Sequence, residues 1–262
     1  MYTFEFVRPT TLAEAVAALG HDEAQALGGG QTLIPTLKQR LASPATLVSL
    51  NGIAEIRGIC RNDAGDVCIG GGTTHAAVAA GAGDYPALAA LAGGIGDPAV
   101  RNRGTIGGSL ANNDPSACYP SAVLASGALV VTNIRTIAAD DFFQGMFTTA
   151  LESGEIITEV RFAVPQKANY QKFLQPASRF ALVGVFVAKY AGGVRVAVTG
   201  ASEAGVFRWT EAEAALSRDF SAAALAGLTA TAKGLIADLH GSAAYRAHLV
   251  KVLTGRAVTA AG

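Results

Sequence analysis

Clustered glycines are the feature of this sequence that points most directly to chemistry. The chain has 31 glycines among 262 residues, well above the average usage of about 7%. They gather at residues 28–30, 70–72, 93–96 and 104–108. Glycine lets a ligand approach the backbone because no Cβ stands in the way, and the unpaired N–H groups at a helix start attract anions. The clusters therefore predict contact with a phosphate-bearing ligand.

Three of these segments together suit a diphosphate better than a single phosphate. Glycine turns at 28–35 and 70–76 precede predicted helices, and residues 105–109 add hydroxyl groups and bare backbone. A purely structural role stays open for each, since runs of glycine are common in flexible turns. The Gly-x-Gly-x-x-Ala match at Gly94 follows a predicted helix rather than a strand, which argues against a Rossmann site there. No P-loop pattern occurs.

Hydrophobic periodicity and turn signals predict the elements that position these segments. Residues 1–55 form a small βαβ-like unit. Its elements are a helix over 12–19 opened by a capping box at 11–14, a strand over 24–27, a helix from Pro35 to about residue 41, and a strand over 46–50. Residues 56–165 form a middle unit. Its elements are strands over 67–69, 129–132 and 155–164, a short helix over 86–91, and a long, mostly irregular segment over 93–120.

A change of pattern near residues 165–169 predicts a third unit over 166–262. A hairpin pairs strands over 181–190 and 193–199, and three helices follow, near 210–216, 221–239 and 242–253. The expected fold class is therefore α+β.

Composition narrows the classes of function. Lys plus Arg equals Asp plus Glu, at 20 each, so no basic excess points to nucleic acid or to an anionic membrane. No apolar run is long enough to span a bilayer, and the first nine residues lack a signal core, so we expect a cytoplasmic protein. The three cysteines lack metal-site spacing, and no catalytic triad or metal constellation occurs. Only 15% of residues are charged, which favours a surface partly covered by partners over a compact monomer.

Two motifs carry a family resemblance over essentially the whole chain. The first reads Gly-Gly-Gly-Gln-Thr-Leu-Ile-Pro at residues 28–35. The second reads Ala-Val-Arg-Asn-Arg-Gly-Thr-Ile-Gly-Gly-Ser-Leu at residues 99–110. In this order they resemble the FAD-binding medium subunit of the xanthine dehydrogenase and carbon monoxide dehydrogenase family of molybdenum hydroxylases. The resemblance implies a two-part FAD-binding fold, made of the βαβ unit and a mixed-sheet middle domain, followed by a C-terminal α+β domain.

The resemblance also implies a set of FAD-binding residues and no metal ligand. The first motif contributes Gly28, Gly29, Gly30, Gln31, Thr32, Leu33 and Ile34, and the second contributes Thr105, Gly107, Gly108, Ser109, Asn112 and Asp114, with Asn113 beside them. Lys172, Phe180 and His75 complete the set.

Some of these residues have alternatives. Phe180 either stacks beside the flavin ring or belongs to the core, Lys172 either approaches the flavin or is solvated, and His75 either contacts the cofactor or caps its helix. Cys118 stands where many relatives have Asp, and behaves either as a replacement or as a small buried hydrophobe. Arg101 and Arg103 either pair with a phosphate, face a partner or form surface ion pairs, and the last two are favoured.

The implied function is electron transfer within a complex. A molybdenum-cofactor large subunit would oxidise the substrate, a [2Fe-2S] small subunit would relay electrons, and this chain would pass them to an external acceptor. Two alternatives are a scaffold subunit that has lost FAD, which intact glycine motifs disfavour, and a free-standing flavin oxidase, which the short length disfavours.

Overall fold

The computed structural model describes all residues from 1 to 262. The first 55 residues contain a three-stranded parallel sheet in the order β1-β3-β2. Its elements are β1 (Glu5–Val7), α1 (Leu12–Leu19), β2 (Ala24–Leu27), α2 (Leu33–Lys38) and β3 (Thr46–Ser49). The predicted capping box is confirmed, with Thr11 and Glu14 each accepting from the other's backbone. The βαβ prediction is confirmed, and the sequence pattern missed β1 because it is short and largely exposed.

The middle unit is built on a five-stranded sheet in the order β4-β5-β10-β6-β7, which is antiparallel throughout. Its elements are β4 (Ile59–Arg61), β5 (Val67–Gly70), α3 (His75–Gly81), α4 (Pro86–Gly93), α5 (Pro98–Arg101), α6 (Ile106–Asn112), α7 (Tyr119–Ala125), β6 (Leu129–Thr132), β7 (Thr136–Ala138), α8 (Ala139–Phe142), β8 (Phe143–Gly145), β9 (Thr148–Thr149) and β10 (Ile157–Phe162). The α+β class is confirmed, but the expected mixed character of this sheet is corrected to antiparallel.

Half of the segment over residues 93–120 is helical, in α5, α6 and the adjoining ends of α4 and α7, so its prediction as mostly irregular holds only for the turns between these helices. Asp97 caps α5, and the Thr105 hydroxyl caps α6 by accepting from the N–H of Gly108. Both helices are short, at 4 and 7 residues, and the glycines at the start of α6 masked it, because glycine is a poor helix former in isolation. Residues 106–110 of the second motif therefore begin a helix, and residues 102–105 lead into it from α5.

The last unit is a four-stranded antiparallel sheet, order β11-β12-β13-β14, covered by helices. Its elements are β11 (Lys167–Leu174), β12 (Ala181–Tyr190), β13 (Gly193–Thr199), β14 (Phe207–Arg208), α9 (Thr210–Arg218) and α10 (Ala243–Ala261). The central strand β12 is buried on both faces, since Val185 and Val187 pack with the C-terminal helices while Phe186 and Ala188 pack into the middle unit's core. This strand joins the last two units, and the division of the chain into domains at residues 55 and 165 stays a prediction.

The predicted helix over residues 221–239 was wrong. Only a 3₁₀ turn over Ala222–Leu225 forms there. Gly234 has φ +77°, which no helix accommodates, and the N–H of Ile236 donates to the carbonyl of Ala201 instead of to its own segment. The last helix is longer than predicted and ends at Ala261. None of the helices combines the length and apolar character that crossing a membrane requires.

Candidate functional site

A cleft of about 670 Å³ lies where the three units meet. This volume is within the range of roughly 300–1,000 Å³ that small-molecule sites occupy. Fifteen of the sixteen predicted site residues line it, whereas Ile34 does not, and neither does Asn113, which is expected beside them. The lining residues are Gly28, Gly29, Gly30, Gln31, Thr32, Leu33, His75, Thr105, Gly107, Gly108, Ser109, Asn112, Asp114, Lys172 and Phe180. Residues that are far apart in sequence thus converge on one surface.

The first glycine loop, residues 28–33, lines this cleft with backbone whose N–H groups are unpaired. No backbone N–H of residues 28–33 donates a hydrogen bond to another group of the chain. Gly30 has φ +73°, and the side chain of Ile34 lies directly beneath it. Ile34 therefore supports the loop from below, which explains why it is outside the cleft. Unpaired donors at the start of α2 favour a negatively charged ligand.

The two glycine motifs touch each other directly. A Cβ on Gly29 would lie 2.0 Å from the carbonyl oxygen of Arg103, and a Cβ on Gly28 would lie 3.1 Å from the hydroxyl of Thr105. Gly29 must therefore be glycine for a packing reason, because any side chain would push the N-terminal and middle units apart. The glycines bring two segments of backbone together as well as exposing backbone to a ligand.

Two backbone hydrogen bonds join the second motif to the turn that follows β5. The N–H of Gly107 donates to the carbonyl of Gly71 at 2.8 Å, and the N–H of Ile106 donates to that of Thr73 at 3.1 Å. The N–H groups of Gly71 and Gly72 bond to residues on neighbouring segments. Gly71 and Gly72 line the cleft, but their N–H groups are already paired, so the unpaired amides are those of the first loop.

His75 begins α3, and its N–H donates to the carbonyl of Gly104 at 2.9 Å. Thr74, and not His75, provides the helix cap. Only 5% of His75 is exposed, and burial, followed by the charge of Arg101, lowers its imidazole pKa to about 4. The ring is therefore neutral near pH 7. Its Nδ1 atom has no hydrogen-bond partner within the chain.

The residues after the second motif divide into two roles. Asn112 and Asp114 line the cleft, and one carboxylate oxygen of Asp114 accepts from the N–H of Ser116 at 2.8 Å. Asn113 is left-handed, with φ +42°, and its side-chain amide donates to the carbonyls of Gly145 and Thr148. Asn113, once expected beside the ligand, is turned away and fixes the β8–β9 hairpin instead.

Lys172 is held at the edge of the cleft by three acceptors. Its Nζ donates to the carbonyl of Gly94 at 2.7 Å and to that of Arg179 at 3.1 Å, and it lies 3.5 Å from the sulfur of Cys118. The alternative of a merely solvated lysine is therefore excluded. Cys118 is buried, as expected of a small hydrophobe, but it also lines the cleft and contacts the ammonium group.

Phe180 projects into the cleft from the connection between β11 and β12. Its side chain is about half exposed, at 51%, which excludes the alternative of a core residue. Arg179, immediately before it, has φ +61°, and its carbonyl accepts from Lys172. An exposed aromatic ring at a cleft mouth can stack on a planar ligand and limit access to it.

Sequence reasoning missed several lining residues. Asp97, Ile157 and Ser116 line the cleft, and no motif singles them out, because β10 and the α4–α5 turn reach the cleft only through tertiary packing. Arg101 forms no ion pair. Its guanidinium instead donates to the carbonyls of Ile95 and Gly96, each at 3.1 Å. It stabilises the turn before α5.

Comparison with known proteins decides the family. Residues 2–166 match the model of the FAD-binding domain in molybdopterin dehydrogenases. The chain belongs to this family. This chain is 33% identical to the carbon monoxide dehydrogenase medium chain of Hydrogenophaga pseudoflava, over 98% of this chain and 96% of that protein. It is 35% identical to the nicotine 6-hydroxylase medium subunit of Paenarthrobacter nicotinovorans, over the same shares of the two proteins.

Solved structures agree with this assignment. A chain of carbon monoxide dehydrogenase from Hydrogenophaga pseudoflava superimposes with a TM-score of 0.87 at 33% identity, covering 99% of this chain and 97% of that one. A chain of quinoline 2-oxidoreductase from Pseudomonas putida 86 gives 0.87 at 29% identity with the same coverage. The molybdopterin dehydrogenase family member is thus an oxidoreductase whose cofactor is FAD, and the free amides, glycine contacts and exposed aromatic ring of the cleft fit that cofactor.

Proposed function

We propose that this chain is the FAD-binding subunit of a multi-subunit molybdenum hydroxylase. In this proposal the chain accepts electrons from the [2Fe-2S] clusters of a small partner subunit and passes them to an external acceptor, while a molybdenum-cofactor large subunit oxidises the substrate. Support comes from the relatives, which are named medium chains or medium subunits of dehydrogenases and hydroxylases and match over nearly their whole length.

The observation that carries the proposal is the row of unpaired amides at residues 28–33, facing a cleft that three units share. These donors and the start of α2 hold the diphosphate, because backbone dipoles stabilise negative charge there. FAD, when bound, supplies the redox chemistry, and the protein supplies position, electrostatics and access.

The C-terminal unit controls the opposite side of the cleft. Lys172 places a positive charge there and, through Arg179, fixes the connection that carries Phe180. The neutral, buried His75 adds no charge next to the second motif. We assign Phe180 to stacking and access, Lys172 to electrostatics and loop position, and Thr105, Ser109, Asn112 and Asp114 to polar contacts along the cofactor. No residue of the chain is assigned to acid–base catalysis on the substrate.

The test begins with the full-length chain, purified and examined by visible absorption before and after acid release. We expect flavin bands, with FAD and not FMN in the supernatant. Mixing the holo-chain anaerobically with a reduced [2Fe-2S] small subunit should then bleach the flavin band, and an added acceptor should restore it. A colourless chain that takes up no FAD even with its partners present would support the scaffold alternative. A flavin that the small subunit cannot reduce would refute the electron route.

A further inference from the structure

Two cysteines and a glutamate meet on neighbouring strands, and none of them lines the FAD cleft. Cys60 lies on β4, Cys68 on β5 and Glu159 on β10, and these strands are adjacent in the sheet order β4-β5-β10. Cys60 and Cys68 are directly opposed in the antiparallel register. The two sulfur atoms and one carboxylate oxygen all lie within 4.8 Å of one another. Three ligands of types that Zn²⁺ accepts thus point to one place.

The geometry points to a second site, for a thiophilic divalent cation such as Zn²⁺, with Cys60, Cys68 and Glu159 as protein ligands and water in the fourth position. Tetrahedral zinc, with Zn–S about 2.3 Å and Zn–O about 2.1 Å, places such ligand atoms about 3.6–3.8 Å apart. The observed separations of up to 4.8 Å therefore require a contraction of about 1.2 Å at most. Side-chain rotation on two opposed strands can provide it without moving the backbone.

Charge and access also suit a cation. Two thiolates, a carboxylate and a dication carry one negative charge together, and Arg161, which is ion-paired with Glu159, balances it. Cys60 is exposed whereas Cys68 is only 3% exposed. An ion can therefore enter from the Cys60 side, and the Cys68 sulfur stays shielded from water once it is bound.

Such a site would stabilise the strands that lead into the turn contacting the second glycine motif. Strand β5 ends at Gly70 and continues into the 70–73 turn, which accepts the N–H groups of Gly107 and Ile106. A cation that links β5 to both of its neighbours would fix the edge of the sheet that carries this turn. The effect of the ion would be to link three adjacent strands, because each of its three protein ligands lies on a different one and none lines the FAD cleft.

The inference can be tested by equilibrium dialysis of the reduced, full-length chain against Zn²⁺ under anaerobic conditions, followed by elemental analysis. We expect one Zn²⁺ per chain, loss of binding in Cys60→Ser and in Cys68→Ser, and weakening in Glu159→Gln by at least the roughly tenfold that loss of an outer-shell partner already costs. Asp63→Asn, in the exposed turn between the same two strands, is the matched control and should bind normally.

Alkylation followed by mass spectrometry gives a second readout. Zn²⁺ should slow the labelling of Cys60 in the wild type and should not slow it in Cys68→Ser. Because Cys60 is exposed, Cys60→Ser keeps the fold even if replacement of the buried Cys68 does not. A reduced wild-type chain that binds no Zn²⁺, or binding that survives Cys60→Ser, would overturn the proposal.

Discussion

Replacing Gly29 with alanine tests whether the contact between the two glycine motifs creates the FAD site. The new Cβ would lie 2.0 Å from the Arg103 carbonyl oxygen and 2.6 Å from the Gly104 Cα. These neighbours are backbone atoms, so they cannot rotate away. The strain is relieved only if the first loop and the second motif separate, which widens the cleft between the N-terminal and middle units.

The expected magnitude follows from this clash. Overpacking of this kind typically costs about 1–3 kcal/mol. Because FAD must draw the two motifs together again, binding carries that cost, and Kd should rise about 5- to 150-fold. Gly28→Ala should have a much smaller effect, since its Cβ would lie 3.1 Å from the Thr105 hydroxyl and 3.9 Å from the Gly108 Cα, with no backbone clash. Gly83→Ala, with nothing within 4 Å of the new Cβ, is the control.

The assay is titration of the FAD-stripped chain by flavin fluorescence, with thermal unfolding of each variant measured in parallel. The order of Kd should be Gly29→Ala far above Gly28→Ala, and Gly83→Ala equal to wild type. If Gly29→Ala folds and binds FAD as tightly as the wild type, the contact between the motifs does not shape the site, and the argument from close backbone packing fails.

Two further predictions concern Lys172 and His75. Lys172→Met removes the donor to the Arg179 carbonyl and so loosens this connection. Trypsin should then cleave after Arg179 several times faster than in wild type or in the control Lys189→Met. An unchanged rate would contradict the proposed anchoring. Burial lowers the pKa of His75 to about 4 from an ordinary 6.5. Its contribution to the free energy of unfolding is therefore fully present above pH 6.5. This contribution, about 3 kcal/mol at most, is lost as the pH falls towards 4, because protonation then favours the unfolded chain. The unfolding free energy of His75→Gln should therefore vary less over that range than that of wild type or of His240→Gln, measured by urea denaturation, and parallel profiles would refute the assignment.

Local signals in the sequence predicted the parts of the fold that local physics determines. The capping box at Thr11, the strand over Ala24–Leu27 and the hairpin of β12 and β13 all occur as expected. Alternation and capping act within a few residues, so a single sequence contains them. The helix predicted over residues 221–239 was wrong for the opposite reason. The N–H of Ile236 in this segment donates to the distant carbonyl of Ala201, so tertiary pairing overrides the helical periodicity.

The site shows the same division. The sequence predicted which residues gather at the cleft, because two motifs in a fixed order carry the family's geometry, and fifteen of the sixteen line it. The sequence could not distinguish Ile34 from the cleft-lining residues beside it, because all of them lie in the same motif. In the structure Ile34 packs beneath Gly30 instead. Asn113 likewise differs from Asn112 only in its left-handed backbone, which turns its amide towards the β8–β9 hairpin.

The glycine clusters show most clearly why composition alone does not identify a ligand loop. Residues 28–30 and 70–72 are both Gly-Gly-Gly before a helix, yet only the first leaves its amides free. The N–H groups of the second bond to Ile56 on one side and to Thr158 on the other, and these partners are far away in the sequence. Unpaired N–H groups can attract an anion, whereas paired N–H groups stabilise the fold. The first loop keeps its donors unpaired, although the second motif packs against it at Gly29, and this difference is why we propose the first loop as the anion-binding one.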